Sequence, residues 1–490
     1  LGLPPSEASA EALIVAQASA VDRAEHWLVV HDGQGVGCVA QLAHERIACR
    51  ELSWAEALEA DPARESYQHI VCFADAGERD NADPVAAATA QYEAMIALCR
   101  RWLGPEAAPG ARLWCVTRQA ERAVDADRVD GLGQSVAAGV LKCAALEFPG
   151  RVAGLVDLEA EPADFAALIA HWREPGELRC FALRGGRPHV PRLRPLDAGA
   201  LDASSLAGGA AFDGTVLITG GFGGIGLALA DTLAARVETL VLVGRRIDGA
   251  ERDARLAALR ERGARVIALA ADLADEAQVA ALFARLVAEG VAVSHLIHAA
   301  GVGGSLALAA SGRGELREVV DAKLAGTWHL HRHAGPSLKS FTVLSTMLAL
   351  WGAREKAHYT LANHFAERVV EWRRARGLPA SIVHLGPVDG GMLDAAGKAA
   401  AARVGVRSFT LRELAGWLAA PLPRAGIALL DIDWARFRPI YRHGWLDALF
   451  AELGTPADGG AAGAKAADGA AAFRRAYAAA GYRESMLDEL

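Results

Sequence analysis

A threonine and a tyrosine thirteen positions apart are the first candidates for chemistry in this chain. Thr346 follows the apolar run at 340–344, and Tyr359 begins YTLAN, which has the spacing of a helix. Asn363 falls one helical turn after the tyrosine, so both side chains project from one face toward the same cleft. The hydroxyl and the phenol can then share one carbonyl oxygen.

A glycine-rich turn in the middle of the chain indicates nucleotide binding. TGGFGGIG at 219–226 follows an apolar, β-branched run at 215–218 and precedes the helix-like LALADTLAA. Glycines between a strand and a helix let backbone amides and a positive helix end approach a pyrophosphate, which predicts a dinucleotide site. The residues expected to contact it here are Gly220, Phe222, Gly223, Gly224, Ile225 and Gly226.

Two arginines follow the next expected strand, where an acidic residue would bind the ribose of NAD. Arg245 and Arg246 instead favour the 2′-phosphate of NADPH. Asp272, with Leu273 beside it, follows the third strand; its carboxylate can accept from the adenine amino group or cap a helix. The fourth strand ends in HAAG, and its small residues Ala299, Ala300 and Gly301 would let the cofactor lie flat against the backbone.

Apolar runs alternate with helical patterns along both halves of the chain. They predict an α/β fold of two Rossmann-like, doubly wound parallel-sheet subdomains, the N-terminal one truncated and non-catalytic. In the first half, DGQGVG resembles a degraded glycine turn, and no later residue there forms a proton-donating set. The expected strands lie at 27–30, 69–73, 112–116, 152–156, 178–183, 215–218, 238–243, 265–269, 294–297, 340–344, 380–385 and 426–430.

These patterns divide the 490 residues into three regions. We expect a structural subdomain at 1–205, a catalytic NADPH-binding subdomain at 206–450, and a Gly/Ala-rich linker with a terminal helix at 451–490. The net charge of −8 argues against nucleic-acid binding, and no apolar run approaches membrane-spanning length. Seven cysteines without metal-ligand spacing favour a reducing, cytoplasmic location.

The motifs together resemble the short-chain dehydrogenase/reductase superfamily. More narrowly, TGGFGGIG, HAAG and YxxxN are similar to the ketoreductase domains of modular type I polyketide synthases. Such domains carry Asn one turn after the tyrosine and take their lysine from an earlier helix, here Lys323 in DAKLAGTWHLH. SVAAGVLKCAALEFPGRVAGLVDLE and CFALRGGRPHVPRLRP resemble the family's inactive structural subdomain.

The resemblance implies NADPH-dependent reduction of a β-ketoacyl thioester held by the phosphopantetheine arm of an acyl carrier protein, beside other megasynthase domains. Tyr359 would donate a proton to the developing alkoxide, and Thr346 would take the role of the family's serine. Ser345 ranks second because it would point to the other side of the strand. Lys323 would lower the phenol pKa and reach the cofactor ribose, and Asn363 would hold the relay.

The same resemblance implies cofactor contacts and the stereochemical outcome. In SIVHLGPVDGGML, Pro387 and Val388 would lie beside the nicotinamide, and a mobile lid with Met392 would follow. The LDD signature of B-type domains is absent at Gly303, Gly304 and Ser305. Trp351 stands where A-type domains carry tryptophan, although it could equally be a packing residue. The resemblance therefore implies an A-type enzyme with an L-hydroxy product, and Lys356, in place of the histidine of A2-type members, favours the A1 over the A2 subtype.

Two other functions stay open: a free-standing reductase of a small ketone, and a cofactor-binding module that is weak, inactive or an epimerase. His329, His331 and His333 suggest a metal site, but we expect none because a helix places His331 on a different face. His358 is expected at the surface. Arg373, Arg374 and Arg376 are expected to form a solvated helix face, or a docking patch for an acidic carrier protein.

Overall fold

Two parallel sheets, one after the other along the chain, make up most of the protein. The computed structural model describes residues 25–453 apart from 65, 75–81, 160–162, 175–178, 196–211, 313, 337, 420–421, 423–425 and 442–443. Within these residues there are two seven-stranded sheets and one two-stranded sheet. Helices flank both large sheets, which confirms the predicted α/β class.

The N-terminal sheet has the order β2-β1-β3-β4-β5-β6-β7. Neighbouring strands are parallel except for the antiparallel β6–β7 hairpin. Its strands are β1 His26–Val30, β2 Ala48–Leu52, β3 His69–Phe73, β4 Arg112–Arg118, β5 Val152–Leu158, β6 Arg179–Arg184 and β7 Arg187–His189. Its helices are α1 Val36–His44, α2 Trp54–Glu59, α3 Pro84–Leu103, α4 Val136–Glu147 and α5 Phe165–Arg173.

The C-terminal sheet has the order β10-β9-β8-β11-β12-β13-β15, and all its described pairs are parallel. Its strands are β8 Thr215–Thr219, β9 Thr239–Gly244, β10 Arg265–Ala270, β11 Val293–His298, β12 Ser340–Thr346, β13 Ser381–Leu385 and, after the short β14 Val406–Arg407, β15 Gly426–Leu429. Its helices are α6 Gly224–Leu233, α7 Ala250–Glu261, α8 Glu276–Ala288, α9 Arg317–Asp321, α10 Leu324–His333, α11 Leu348–Trp351 and α12 Ala357–Ala375.

A smaller layer follows β13 and closes one end of the catalytic subdomain. β14 pairs antiparallel with β16 Asp431–Ile432. The helices of this layer are α13 Ala395–Arg403, α14 Leu411–Trp417, α15 Trp434–Phe437 and α16 Trp445–Leu449.

Continuous apolar runs form the strands because helices cover both faces of each sheet. Every residue of β8, β12 and β13 is buried. The strands that the sequence did not predict are edge strands or very short: β2, with the mixed sequence ACREL, β7, and the pair β14 and β16.

The two subdomains share one hydrophobic core, so they do not behave as separate globules. Helix α4 of the first half packs along α12 of the second, and Leu141 and Leu361 are both buried in a cluster with residues of both halves. The helices approach closely at Gly139, where an added Cβ would lie 2.4 Å from the Leu361 Cα. Packing against the structural half therefore fixes the helix that carries Tyr359.

The predicted subdomain limits stay predictions. The junction at 205–206 lies in the gap 196–211, and all of the expected linker beyond 453 lies outside the described residues. Each of the seven cysteines is described, and none forms a disulfide. The helices that can be described include none that is both long enough and apolar enough to cross a membrane.

Candidate active site

The glycine turn after β8 forms a shallow groove closed by backbone on its inner side. Gly220 has a φ of +66°, and an added Cβ there would lie 2.8 Å from the backbone of Ala300. At Gly226 an added Cβ would lie 2.2 Å from the Gly220 carbonyl oxygen. Helix α6 begins directly after the turn and directs its free amides outward. Side chains at these glycines would collide with this backbone, so the tight path of the turn requires glycine.

The segment after β13 lies over this helix end. An added Cβ at Gly224 would be 2.7 Å from the carbonyl oxygen of Gly390. The backbone on both sides of Val388 is tied to Phe409: the Phe409 amide donates to Pro387 and the Asp389 amide donates to Phe409. These hydrogen bonds hold the backbone of Pro387 and Val388 in place. Met392, further along the segment, is 61% exposed.

Arg245 and Arg246 lie exposed where β9 ends. Beside them, Gly244 leaves room for Phe222, whose ring would be 3.0 Å from an added Cβ. The two arginines therefore follow the strand next to β8, which is the place where a doubly wound sheet binds a ribose.

The alternative role of Asp272 as a helix cap is wrong. Asp275 caps α8, accepting hydrogen bonds from the amides of Ala277 and Gln278. Asp272 instead accepts from the amide of Ala274 at 3.0 Å, a local turn between β10 and the helix. Leu273 is buried against the small residue Gly326.

The end of β11 forms the floor between the glycine turn and the cavity described next. The Ala299 amide donates to the Thr219 carbonyl at 3.2 Å, and the Thr219 hydroxyl contacts the buried His298 imidazole at 2.7 Å. Ala299, Ala300 and Gly301 all border the cavity. These three small residues therefore line the cavity on the side of the glycine turn.

A cavity of about 1140 Å³ brings the candidate catalytic residues together. The Tyr359 phenol and the Thr346 hydroxyl both border it, within hydrogen-bonding reach of each other. Burial raises the pKa of Tyr359 to about 12, and the Thr346 hydrogen bond opposes that rise. The phenol therefore keeps its proton at neutral pH and can donate it.

Of the two hydroxyls at the end of β12, the structure joins only that of Thr346 to the tyrosine. Thr346 Oγ1 also accepts from the Leu348 amide at 3.3 Å. Ser345 borders the cavity too, but its buried hydroxyl has no hydrogen-bond partner among the described residues.

Lys323 lies between α9 and α10, with its ammonium group beneath the cavity floor. Its Nζ donates to the carbonyl oxygens of Ala300 at 3.0 Å and His298 at 3.3 Å. Burial lowers the pKa of Lys323 to about 7. Carbonyl oxygens of the HAAG segment hold this ammonium group. The pKa of Tyr359 is set by burial and by Thr346, and not by Lys323 as expected.

Asn363 is buried one turn after the tyrosine and also borders the cavity. Its Nδ2 donates to the backbone carbonyl of Tyr359 at 2.9 Å. The amide thus braces the helix at the tyrosine.

The residues around the cavity fit a nicotinamide dinucleotide. The open glycine groove would take the pyrophosphate, the exposed arginines a ribose phosphate, and the HAAG floor the nicotinamide ribose and ring. The glycine groove and the cavity meet at Ile225, which borders both.

The positions expected to control stereochemistry fall in two different places. Gly303, Gly304 and Met392 border the cavity. An added Cβ at Gly303 would lie 3.3 Å from the Met392 sulfur, so the methionine covers that glycine. Trp351 does not border the cavity; it is buried against Phe437 and Phe450 at ring distances of 5.5 and 5.6 Å. It packs the small layer formed by α15 and α16.

The three histidines of α10 have separate partners. His329 contacts the Leu273 carbonyl at 2.9 Å, His331 contacts Arg373, and His333 contacts Glu276 at 3.1 Å. The part of the chain that the structure describes contains no group of three His, Cys, Asp or Glu residues able to hold a metal ion.

Two surface predictions are wrong because the neighbouring elements cover these side chains. His358 is buried, with its ring edge-on to Tyr92 of the structural subdomain at 6.4 Å. Arg373 is buried with its guanidinium over the Phe341 ring at 4.4 Å, and Arg376 lies over the Trp372 ring at 3.8 Å. Together with the ion pair from Arg374 to Glu371, these contacts exclude a solvated arginine face.

Two family models match adjoining parts of the chain. Residues 15–193 match the Rossmann fold domain of the polyketide synthase extender module SpnB, and residues 214–390 match the KR domain. The first match spans the whole N-terminal sheet and the second spans the C-terminal sheet except β15, so the first sheet has its own family assignment.

Known proteins resemble the chain over both subdomains. Polyketide synthase GfsA of Streptomyces halstedii is 32% identical over 355 residues, which cover 70% of this chain but only 5% of that synthase. The first ketoreductase of the tylosin polyketide synthase has a TM-score of 0.73 at 27% identity, covering 88% of this chain and 95% of the other. A structure described as an A1-type ketoreductase has a TM-score of 0.74 at 26% identity, covering 88% and 94%.

The two matched regions, the shared architecture and the tyrosine beside a threonine hydroxyl agree with one another. Members of this family are oxidoreductases that reduce ketones with a nicotinamide cofactor, and the relatives are multidomain synthases. The chain belongs to the ketoreductase domains of modular polyketide synthases, with a structural and a catalytic Rossmann-like subdomain.

Proposed function

We propose that this chain reduces the β-keto group of an acyl thioester, carried on an acyl carrier protein, with NADPH as the reductant. The observation that carries the proposal is that the Tyr359 phenol and the Thr346 hydroxyl lie within hydrogen-bonding reach of each other, in the cavity that the HAAG segment also borders. Two hydroxyl donors at one point bind a carbonyl oxygen better as it gains negative charge.

Each residue of the site has a separate role in this reaction. When bound, the nicotinamide supplies the hydride. Thr346 donates a hydrogen bond to the substrate oxygen, and Tyr359 donates its proton as that oxygen becomes an alkoxide. Asn363 keeps the tyrosine in place through the Tyr359 carbonyl. Lys323 keeps the Ala300 carbonyl and the HAAG floor in place and supplies positive charge.

NADPH is favoured over NADH by the two exposed arginines at the end of β9. An acyl carrier protein as partner is supported by the size of the relatives, of which this chain spans a small part. A cytoplasmic location is supported by the seven free cysteines.

An L-hydroxy product of the A1 type is supported by Gly303 and Gly304 in place of an LDD signature, and by the likeness to an A1-type ketoreductase. Trp351 would act indirectly, by packing the layer beneath α11. Chiral analysis of the product tests this point, and a D-alcohol would refute it.

The test of the chemistry is NADPH oxidation with a β-ketoacyl-pantetheine substrate. Tyr359→Phe removes the proton donor, and we expect at least about a thousandfold loss of kcat without loss of NADPH binding. Thr346→Ala should lower kcat by about a hundredfold, while Ser345→Ala, its matched control, should change it little. Turnover retained in Tyr359→Phe would overturn the proposal, and NADPH binding without oxidation by the unmodified chain would favour an inactive or epimerase module.

A further inference from the structure

A cluster of buried charged side chains lies where α12 meets the structural subdomain. Its acidic member from the structural half, Glu121, follows β4; the others lie on α12 and β13. Arg368, His364 and His384 have side chains no more than 8% exposed. Its members are Glu121, His364, Glu367, Arg368 and His384.

The contacts within the cluster form a continuous path toward the active site. Glu121 pairs with Arg368 at 2.7 Å, and Arg368 pairs with Glu367 at 2.6 Å. Glu367 lies 3.6 Å from Nε2 of His384, whose Nδ1 lies 3.3 Å from the backbone carbonyl oxygen of Thr346. A carbonyl oxygen can only accept, so Nδ1 carries the proton in this contact.

The acidic residue in the middle of the path stays ionised. Burial raises the pKa of Glu367, but Arg368 and His384 lower it further, to well below its usual range. With a proton on Nε2 as well as on Nδ1, His384 can donate to the charged Glu367, and this contact then holds the ring in one orientation.

The end of the path coincides with the end of a strand. Thr346 is the last residue of β12, paired with Leu385 of β13. Glu367 lies two helical turns after Tyr359 on α12. The Glu367–His384 contact thus connects the helix that carries the phenol to the strand end that carries the hydroxyl.

We propose that Glu367 and His384 are positioning residues that hold Thr346 against Tyr359; this rests on the proposed reduction. The same helix offers a built-in comparison. One turn after Glu367, Glu371 pairs with Arg122 of the structural subdomain at 3.1 Å and with Arg374 at 2.8 Å. That pair also joins the subdomains, but it has no contact with β12 or β13 among its ion pairs.

The test compares His384→Ala, His384→Asn and Glu371→Gln in the full chain, by steady-state kinetics, NADPH titration and thermal unfolding. His384→Ala should lower kcat by about tenfold, with KM and NADPH affinity unchanged, because a misplaced Thr346 hydroxyl stabilises the developing alkoxide less but contributes little to binding of the substrate. His384→Asn should restore most of the rate, since its amide nitrogen lies near the position of Nδ1. Glu371→Gln should lower the unfolding temperature but keep kcat.

A His384→Ala enzyme with the kcat of the unmodified chain would overturn this inference alone. Equal kcat losses in His384→Ala and Glu371→Gln, without rescue by asparagine, would also overturn it, because the cluster would then act only on stability. If His384→Ala does not fold, Glu367→Gln replaces it, with the same expected loss of kcat. An unmodified chain that binds NADPH and reduces no β-ketoacyl thioester would overturn both proposals.

Discussion

The two halves of the protein each carry a glycine-rich turn at the same place in the sheet. The turn after β1 lies where β1 separates β2 from β3, and the turn after β8 lies where β8 separates β9 from β11. In both sheets the strand order reverses at that point, which is where an open parallel sheet binds ligands. Position in the fold therefore does not distinguish the two turns.

They differ in what surrounds the glycines. An added Cβ at Gly35 would lie 2.3 Å from the His31 ring, and one at Gly37 would lie 2.8 Å from the Phe165 ring. His31 Nδ1 also accepts from the Gly33 amide at 2.9 Å. In the first half, side chains occupy the groove and an imidazole takes an amide that a phosphate would need.

The strand ends of the two sheets differ in the same way. In the structural subdomain Arg184 pairs with Asp157 at 2.6 Å and with Asp127 at 2.8 Å, and Thr117 donates to Asp157. In the catalytic subdomain Lys323, Thr346 and Tyr359 surround a cavity. A Rossmann-like sheet can bind a ligand only where the polar groups at its strand ends are available. In the first sheet these polar groups pair with one another.

Replacing a glycine in each turn gives the largest effect expected from this comparison. Gly226→Ala places a methyl group against the backbone oxygen of Gly220, which cannot move aside, and NADPH affinity should fall by about a hundredfold. Gly37→Ala, its matched control, meets only the Phe165 side chain and should leave NADPH affinity unchanged. Fluorescence titration with NADPH measures both.

Unfolding temperatures of the two variants separate binding from folding. If Gly37→Ala weakened NADPH binding as much as Gly226→Ala does, the first turn would be part of a cofactor site. The division of the two halves into structural and catalytic parts would then be wrong.

The sequence predicted most strands to within two residues because both faces of each sheet are covered, which requires apolar runs. It missed β2 because ACREL, at a sheet edge, is a mixed sequence with two adjacent charged residues and only its last residue buried. His358 and Arg373 were misjudged for a related reason: what buries them, Tyr92 in one case and Phe341 in the other, is distant in sequence. Local patterns do not show which helix face a second subdomain will cover.

The candidate site was predictable where its residues are close in sequence or belong to a turn motif, as with Tyr359 and Asn363. The Glu367–His384 path was missed because its acidic anchor, Glu121, lies 247 positions before Arg368. One signal was available: Glu367 and Arg368 stand between the apolar pairs at 365–366 and 369–370, and a buried charge requires a partner.

Lys323 offers a second way to test the difference between the two subdomains. The charges at the strand ends of the structural subdomain form ion pairs, whereas burial alone lowers the pKa of Lys323 to about 7. As pH rises through about 7 the free enzyme loses this charge, so kcat/KM should fall. Lys323→Met should lower kcat/KM by roughly fiftyfold and abolish that pH dependence. A remaining fall above pH 7 in the variant would assign it to another group.

The positive charge on Lys323 should favour activity but oppose the stability of the fold. Burial depresses the Lys323 pKa, so at a pH between about 7 and the usual pKa of a lysine the unfolded chain binds this proton more readily than the folded chain. Below about pH 7 the lysine is charged in both states, and the buried charge then destabilises the fold by its full amount. Lys323→Met should therefore be at least as stable as the unmodified chain at pH 6 while being less active. Thermal unfolding at pH 6 and 9 checks this; a less stable variant at pH 6 would contradict it.

The smallest expected effect concerns the strand that follows each turn. β9 ends beside the exposed Arg245, whereas β2 is followed by Ser53, which caps α2 by accepting from the Glu56 amide. Arg245→Ala should reduce the preference for NADPH over NADH by about tenfold, because an exposed charge contributes modestly to binding. Titrations with both cofactors measure the ratio. Weakening of NADPH and NADH to the same extent would mean that Arg245 contacts a part of the dinucleotide common to both, and the 2′-phosphate would need another partner.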